Sequence, residues 1–160
     1  MFYVKFYSFI SKTIGYIIIS VSGLVYIQKL IIVSIEKVTP IALTAIATIA
    51  ALSALCFSFV QSISDEHDKN SGLYAGEKFL HSTLLIILTL FLKYASDQAL
   101  SFTSINSIIW LKITISIISS LFLFGIGGYA ITMAALGFHD LNKTLWSRFE
   151  KLAEKNLKSK

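Results

Sequence analysis

Apolar side chains fill this chain in four long runs, and the polar positions gather between them. A helix needs roughly 20 mainly apolar residues to cross about 30 Å of hydrocarbon. The cleanest run, 41–60, is twenty residues without a charge, with Pro40 at its start, where a missing N–H does no harm. Before it, 13–35 is apolar apart from Gln28 and Lys29, and the link Glu36-Lys37-Val38-Thr39 predicts a tight antiparallel helical hairpin. Residues 61–78 are strongly polar, holding Asp65, Glu66, His67, Asp68, Lys69, Asn70 and Gly72, and read as a loop. A third run covers 79–95, with Lys93 near its far end placed to snorkel, and a Ser-rich link follows at 96–106. The fourth covers 113–136, with Trp110 and Lys112 as interface anchors at its mouth. The expected fold is therefore all-α: four transmembrane helices in residues 1–137.

Residues 138–160 read as a separate amphipathic helix. At 100° per residue, Phe138, Leu141, Leu145, Trp146, Phe149, Leu152, Ala153 and Leu157 share one side. Lys143, Arg148, Glu150, Lys151, Glu154, Lys155 and Lys158 share the other. Asp140 near the start and the basic residues further on suit the helix dipole. Such a helix fits a membrane surface, a short self-associating bundle or a soluble partner protein. Leu141, Leu145, Trp146, Arg148, Phe149, Lys151, Leu152 and Lys155 are its candidate contact residues. No aromatic-basic interleaving accompanies the charge, which argues against nucleic acid as a partner of this chain.

Composition supports lipid as the solvent. Of 160 residues 55% are hydrophobic and 14% charged, against about 25% charged in soluble domains. Mean hydropathy is +0.73. The formal charge is +5, and residues 143–160 hold six of the fourteen Lys and Arg. With four spans and an inner N-terminus, ten basic residues lie inside (Lys5, Lys12, Lys69, Lys78 and the six of the tail) and four outside (Lys29, Lys37, Lys93, Lys112). That bias puts both termini in the cytoplasm. Lys29 is the strain in this reading, since a lysine at mid-membrane costs about 2.5 to 3.5 kcal/mol. A first run lying on the surface would leave three spans. The N-terminal segment reads as a retained helix rather than a cleaved leader. The compact layout and Ile- and Lys-rich composition suggest a bacterial inner membrane. Cys56 is the single cysteine and sits in an apolar run, so it forms no intrachain disulfide.

Small residues recur on two runs. Ala47 with Ala51, and Ala50 with Ala54 and Ser58, make faces that admit a second helix closely, within one subunit or between subunits. Gly125, Gly127 and Gly128 offer a similar surface on the fourth run. A sharper alternative has Thr44 and Thr48 lining a weakly polar pore in a ring of subunits. Glu77 and His81, one turn apart, can share a face at the inner mouth of the third run, as a proton relay or simply as hydrated interfacial groups. Asp65, Glu66, His67 and Asp68 have metal-ligand chemistry, but consecutive residues on a loop rarely converge on one ion, so they read as a solvated charge run. Catalytic, nucleotide and carbonyl-filter motifs are missing, as are a central carboxylate in the first run and a detectable inverted repeat. No enzyme activity, metal or cofactor is expected.

In size and layout, with runs at 13–35, 41–60, 79–95 and 113–136 and a basic tail at 143–160, the chain resembles the small four-span membrane subunits of bacterial anti-phage systems of the Kiwa type. It also resembles four-span colicin immunity proteins. The first resemblance implies a homo-oligomeric membrane sensor working with a cytoplasmic DNA-binding effector that docks on 61–78 and the tail. The second implies binding of a membrane toxin. The expectation is a non-enzymatic oligomeric scaffold or sensor, with a pore-forming protein and an immunity-type protein as alternatives.

Overall fold

The computed structural model describes residues 2–63, 65–101 and 108–158, with side chains from 6 to 156 within them. Their regular structure is helical: α1 Phe2–Ile32, α2 Ile35–Val60, α3 Glu66–Ser101 and α4 Ile109–Lys158. Four helices are long and apolar enough to cross a membrane, over Phe6–Ile32, Ile35–Val60, Glu66–Ser101 and Ile109–Asn156. At 1.5 Å per residue α3 is about 54 Å long and α4 about 75 Å, so both outrun a hydrocarbon layer of about 30 Å.

Each helix is longer than the apolar run that announces it. The expected Glu36–Thr39 link belongs to α2, and the turn is only Val33 and Ser34, whose Ser34 carbonyl accepts from the Lys37 and Val38 N–H groups. Pro40 therefore lies inside α2, in its second turn, where it deprives only the carbonyl four residues back near the helix end. Residues 66–78 form the first turns of α3 rather than a loop. Asp65 Oδ1 accepts from the backbone N–H of His67 (3.0 Å) and Asp68 (3.3 Å), capping the helix. Glu66 and Asp68 in the first turn favour the same end. At its other end α3 passes through the start of the Ser-rich link to Ser101; residues 102–107 of that link lie outside the described residues.

Nor is the tail a separate element. Gly137 has ordinary helical backbone and α4 runs through it unbroken. A helical glycine costs about 1 kcal/mol, but here it lets α4 approach α3 until a Cβ would meet Phe79 at 3.1 Å and the Ala75 carbonyl at 3.2 Å.

Around the bundle the order is α2, α3, α4, α1, with the most extensive contact between α3 and α4. One core cluster joins Tyr26, Leu30, Val38, Ala42, Ile86, Leu123 and Ala130. A second joins Cys56, Ala75 and Phe79, with Leu52, Phe138 and Leu141 packed against it. Among the described residues buried hydroxyls are bonded between helices: Tyr26 with Thr89 (2.8 Å), Ser53 to the Gly76 carbonyl (2.8 Å) and Ser82 to the Ala130 carbonyl (2.8 Å). Such bonds are needed where water is excluded. The predicted α1–α2 hairpin is barely packed: beyond the shared turn the two helices part, and the bundle is open on that side.

Candidate functional site

The parting of α1 and α2 leaves an apolar cleft of ≈ 680 Å³. Ile18, Ile19 and Ser22 of α1 form one wall, Ile41, Ala45 and Ile49 of α2 the other, and Phe79, Ile86, Ala134 and Phe138 of α3 and α4 the floor. Two glycines of α1 set its depth. The Phe138 ring occupies the place of a Gly15 side chain, and Ile131 sits 2.6 Å from where a Gly23 Cβ would be. Thr44 and Thr48 line this cleft too, and their hydroxyls donate to the Pro40 and Thr44 carbonyls (2.9 Å each). With donors spent on its own helix, the α2 wall offers a nearly apolar face to whatever enters.

The two small-residue faces point away from the rest of the chain. Ala47, Ala51, Ala54 and Ser58 are exposed on α2, and Ala50 is half-buried. A Cβ at Gly125 or Gly128 meets nothing within 4 Å, while Gly127 alone turns inward, at 3.4 Å from Ile27. Within the protomer, close approach depends on other glycines: Gly15 and Gly23 on α1, Gly72 against Val60 and Gly76 against Phe57. The Gly72-x-x-x-Gly76 spacing is a recognisable close-packing signal. It is hidden because polar neighbours make its segment read as a loop.

At one end of the bundle the α2–α3 connection is clasped by α4. Lys151 Nζ lies 2.7 Å from both Asp65 Oδ2 and Asp68 Oδ2, and Ser147 donates to the same Asp68 oxygen at 3.3 Å. Arg148 donates to the Ser62 carbonyl at 3.3 Å and stands over the Phe59 ring, 4.9 Å from its centre. The hydrogen bond from Lys151, foremost, and the backbone N–H of Asp68 hold the exposed Asp65 carboxyl below its ordinary value.

The tail is therefore not the separate amphipathic helix expected of it, and its apolar side is divided between the bundle and the outside. Polar Ser147, Arg148 and Lys151 turn to the bundle, Thr144 is buried, and Phe149 (54%) and Leu152 (56%) are exposed together with Lys155. Leu141 packs on the second core cluster, Leu145 and Trp146 are half-buried, and the Leu157 side chain lies outside the described residues. Because α4 is one helix, the tail keeps the phase in which Gly137 and Asp140 meet Phe79 and Lys78 of α3. A free amphipathic helix would have chosen its own.

Other polar positions also find partners different from those the sequence suggests. Lys93 turns inward to Asp97 (2.9 Å, one turn on) and is only 8% exposed. Asp140 pairs with Lys78, and His139 Nδ1 lies 2.6 Å from the Tyr16 hydroxyl. Glu77 and His81 are exposed on α3. Among the described residues no group of three or more His, Cys, Asp or Glu side chains is placed to hold a metal ion. Asp65 and Asp68 converge on a lysine instead. No protein-family model, curated protein or solved structure matches this chain.

Proposed function

We propose that this chain is a non-enzymatic, homo-oligomeric subunit of a bacterial inner membrane, a scaffold or sensor for a cytoplasmic partner of the kind used in anti-phage defence. The observation that carries the oligomer is the outward direction of the small-residue faces. Ala47, Ala51, Ala54 and Ser58 have no use inside the protomer, and Gly125 and Gly128 have nothing near them. In lipid such faces gain van der Waals contact only from another helix that comes close. Both termini are cytoplasmic in this reading, from the bias of basic residues toward that side. The clasped end then faces the partner, with Phe149 and Leu152 available to it.

The test is the mass of the natively extracted protein, in detergent or nanodiscs. The wild type is expected at a discrete multiple of 17.8 kDa, with a soluble protein bound. The A51L/A54L variant, altered only on the exposed face, is expected as a folded monomer. A wild-type monomer with nothing attached would sink the proposal.

The α1–α2 cleft favours a second reading, immunity-type capture of an apolar toxin helix. It is open at the side and lined almost wholly by apolar groups. A folded monomer that protects membranes from such a toxin supports it, and T48W, which fills the cleft, would then abolish protection. The pore reading has less behind it, because the Thr44 and Thr48 hydroxyl protons are engaged within α2.

A further inference from the structure

A second cleft, of ≈ 410 Å³, opens between the N-terminal part of α1 and the C-terminal part of α4. Ser8, Phe9 and Lys12 line it from α1, and Lys143, Trp146, Ser147 and Glu150 from α4. We propose that it binds the anionic phosphodiester headgroup of a membrane phospholipid, with the phosphate between Lys12 and Lys143.

The helix register puts the two lysines at one height. Gly15 meets Phe138, and Tyr16 meets Phe138 and His139, where α1 packs on α4. Lys12 stands three to four residues before the first partners, and Lys143 four to five after the second. Each is therefore about one turn, or about 5 Å, beyond the contact. The uncharged run of α1 begins at Thr13, so that height is the headgroup layer of a membrane spanned by α1.

Neither lysine has an ion-pair partner among the described residues, although Lys78, Lys93 and Lys151 all do. Two unpaired ammonium groups from separate helices, facing one cleft at this depth, suit a phosphate oxygen cluster. Trp146 flanks them, in the interface position that tryptophan favours, and packs on Phe149 at 5.6 Å. Ser147 is committed to Asp68, so Ser8 is the hydroxyl left to the phosphate. Glu150 lies two turns from Lys143, at the far end of the cleft from the membrane. There its carboxylate repels a second phosphate and accepts a hydroxyl of a glycerol-type headgroup. The site needs the chain to be membrane-embedded but not oligomeric.

The experiment uses the full-length chain in the W110F background, which leaves Trp146 as the only tryptophan. It is reconstituted into vesicles holding a minority of tail-brominated lipid. Trp146 emission is expected to be quenched with roughly thirtyfold preference for brominated phosphatidylglycerol over brominated phosphatidylcholine, the size expected of two nearby lysines. K12Q/K143Q should lose that preference and K12R/K143R keep it. K155Q/K158Q, which removes equal charge elsewhere on the tail, should also keep it. Equal quenching by both lipids, or equal loss in the two glutamine variants, overturns the site. Displacement by inorganic phosphate, but not by chloride at equal ionic strength, assigns the site to a free anion and overturns the lipid. No quenching by any lipid overturns the membrane reading itself, whatever the oligomeric state.

Discussion

Gly137 and Gly125 are twelve residues apart on one helix, yet the surroundings give them opposite roles. A side chain at Gly137 meets the Phe79 ring and the Ala75 carbonyl, and the backbone oxygen cannot swing aside. Gly137→Leu is expected to destabilise the fold by about 1–3 kcal/mol, the usual size for overpacking, seen as a lower thermal midpoint in detergent. Gly125→Leu, with nothing within 4 Å, should leave that midpoint unchanged in the monomer. A large loss for Gly125→Leu in the A51L/A54L monomer would mean that α4 packs differently. Both glycines are visible in the sequence as small residues in an apolar run. Their difference is invisible there, because it depends on which side α3 approaches.

At the scale of elements, the clasp between α4 and the α2–α3 connection is the feature most open to test. Lys151→Gln leaves Asp68, a buried carboxylate, with only Ser147, and Arg148 must hold the connection alone. Faster amide exchange over residues 141–156 is expected, with the spans unaffected; unchanged exchange would show the clasp to be incidental. Its pH dependence follows from the two shifts. Asp65 is held below its ordinary value, so its contribution is present above about pH 4 and fades as pH falls through the lowered value. Lys151 is raised, by its hydrogen bonds to Asp65 and then Asp68, so its contribution is present below about 10.5 and is lost as pH rises beyond the raised value. Protection of the tail amides, taken relative to the intrinsic exchange rate at each pH, should therefore be flat across the neutral range and fall in acid. High salt should lower it too, since Lys151 and Asp65 are exposed.

For the whole molecule, the open side between α1 and α2 contrasts with the closed side, where α2 meets α3. Cys56 reports on the latter, being 1% exposed within the second core cluster. A maleimide should leave it unmodified in the native protein and modify it fully once unfolded. Rapid native labelling would show that α2 leaves α3 as readily as it parts from α1. The openness of the bundle also gives the two functional readings their common ground: outward small residues ask for another helix, and so does an unfilled apolar cleft.

The division between sequence and tertiary structure follows from what each physical signal measures. Hydropathy is a local sum, so four apolar segments and an all-helical fold can be read without any packing information. Helix ends cannot, because they depend on capping and on neighbours. Residues 66–78 are helical since Asp65 caps them and Gly72 and Gly76 admit Val60 and Phe57 of α2, none of which polarity reveals. The periodicity of the tail suggests a separate amphipathic helix, whereas residues 138–158 are the end of the long, mainly apolar α4. The direction its sides face is fixed by the phase in which α4 meets α3, as at Gly137 with Phe79 and Asp140 with Lys78. The same holds for the candidate sites. Thr44, Thr48, Lys12 and Lys143 can be read as residue types in the chain, while the clefts they line exist only where α1 leaves α2 and then α4. Tertiary structure alone decides which faces are spent inside the protomer and which are left for a lipid, another copy or a partner.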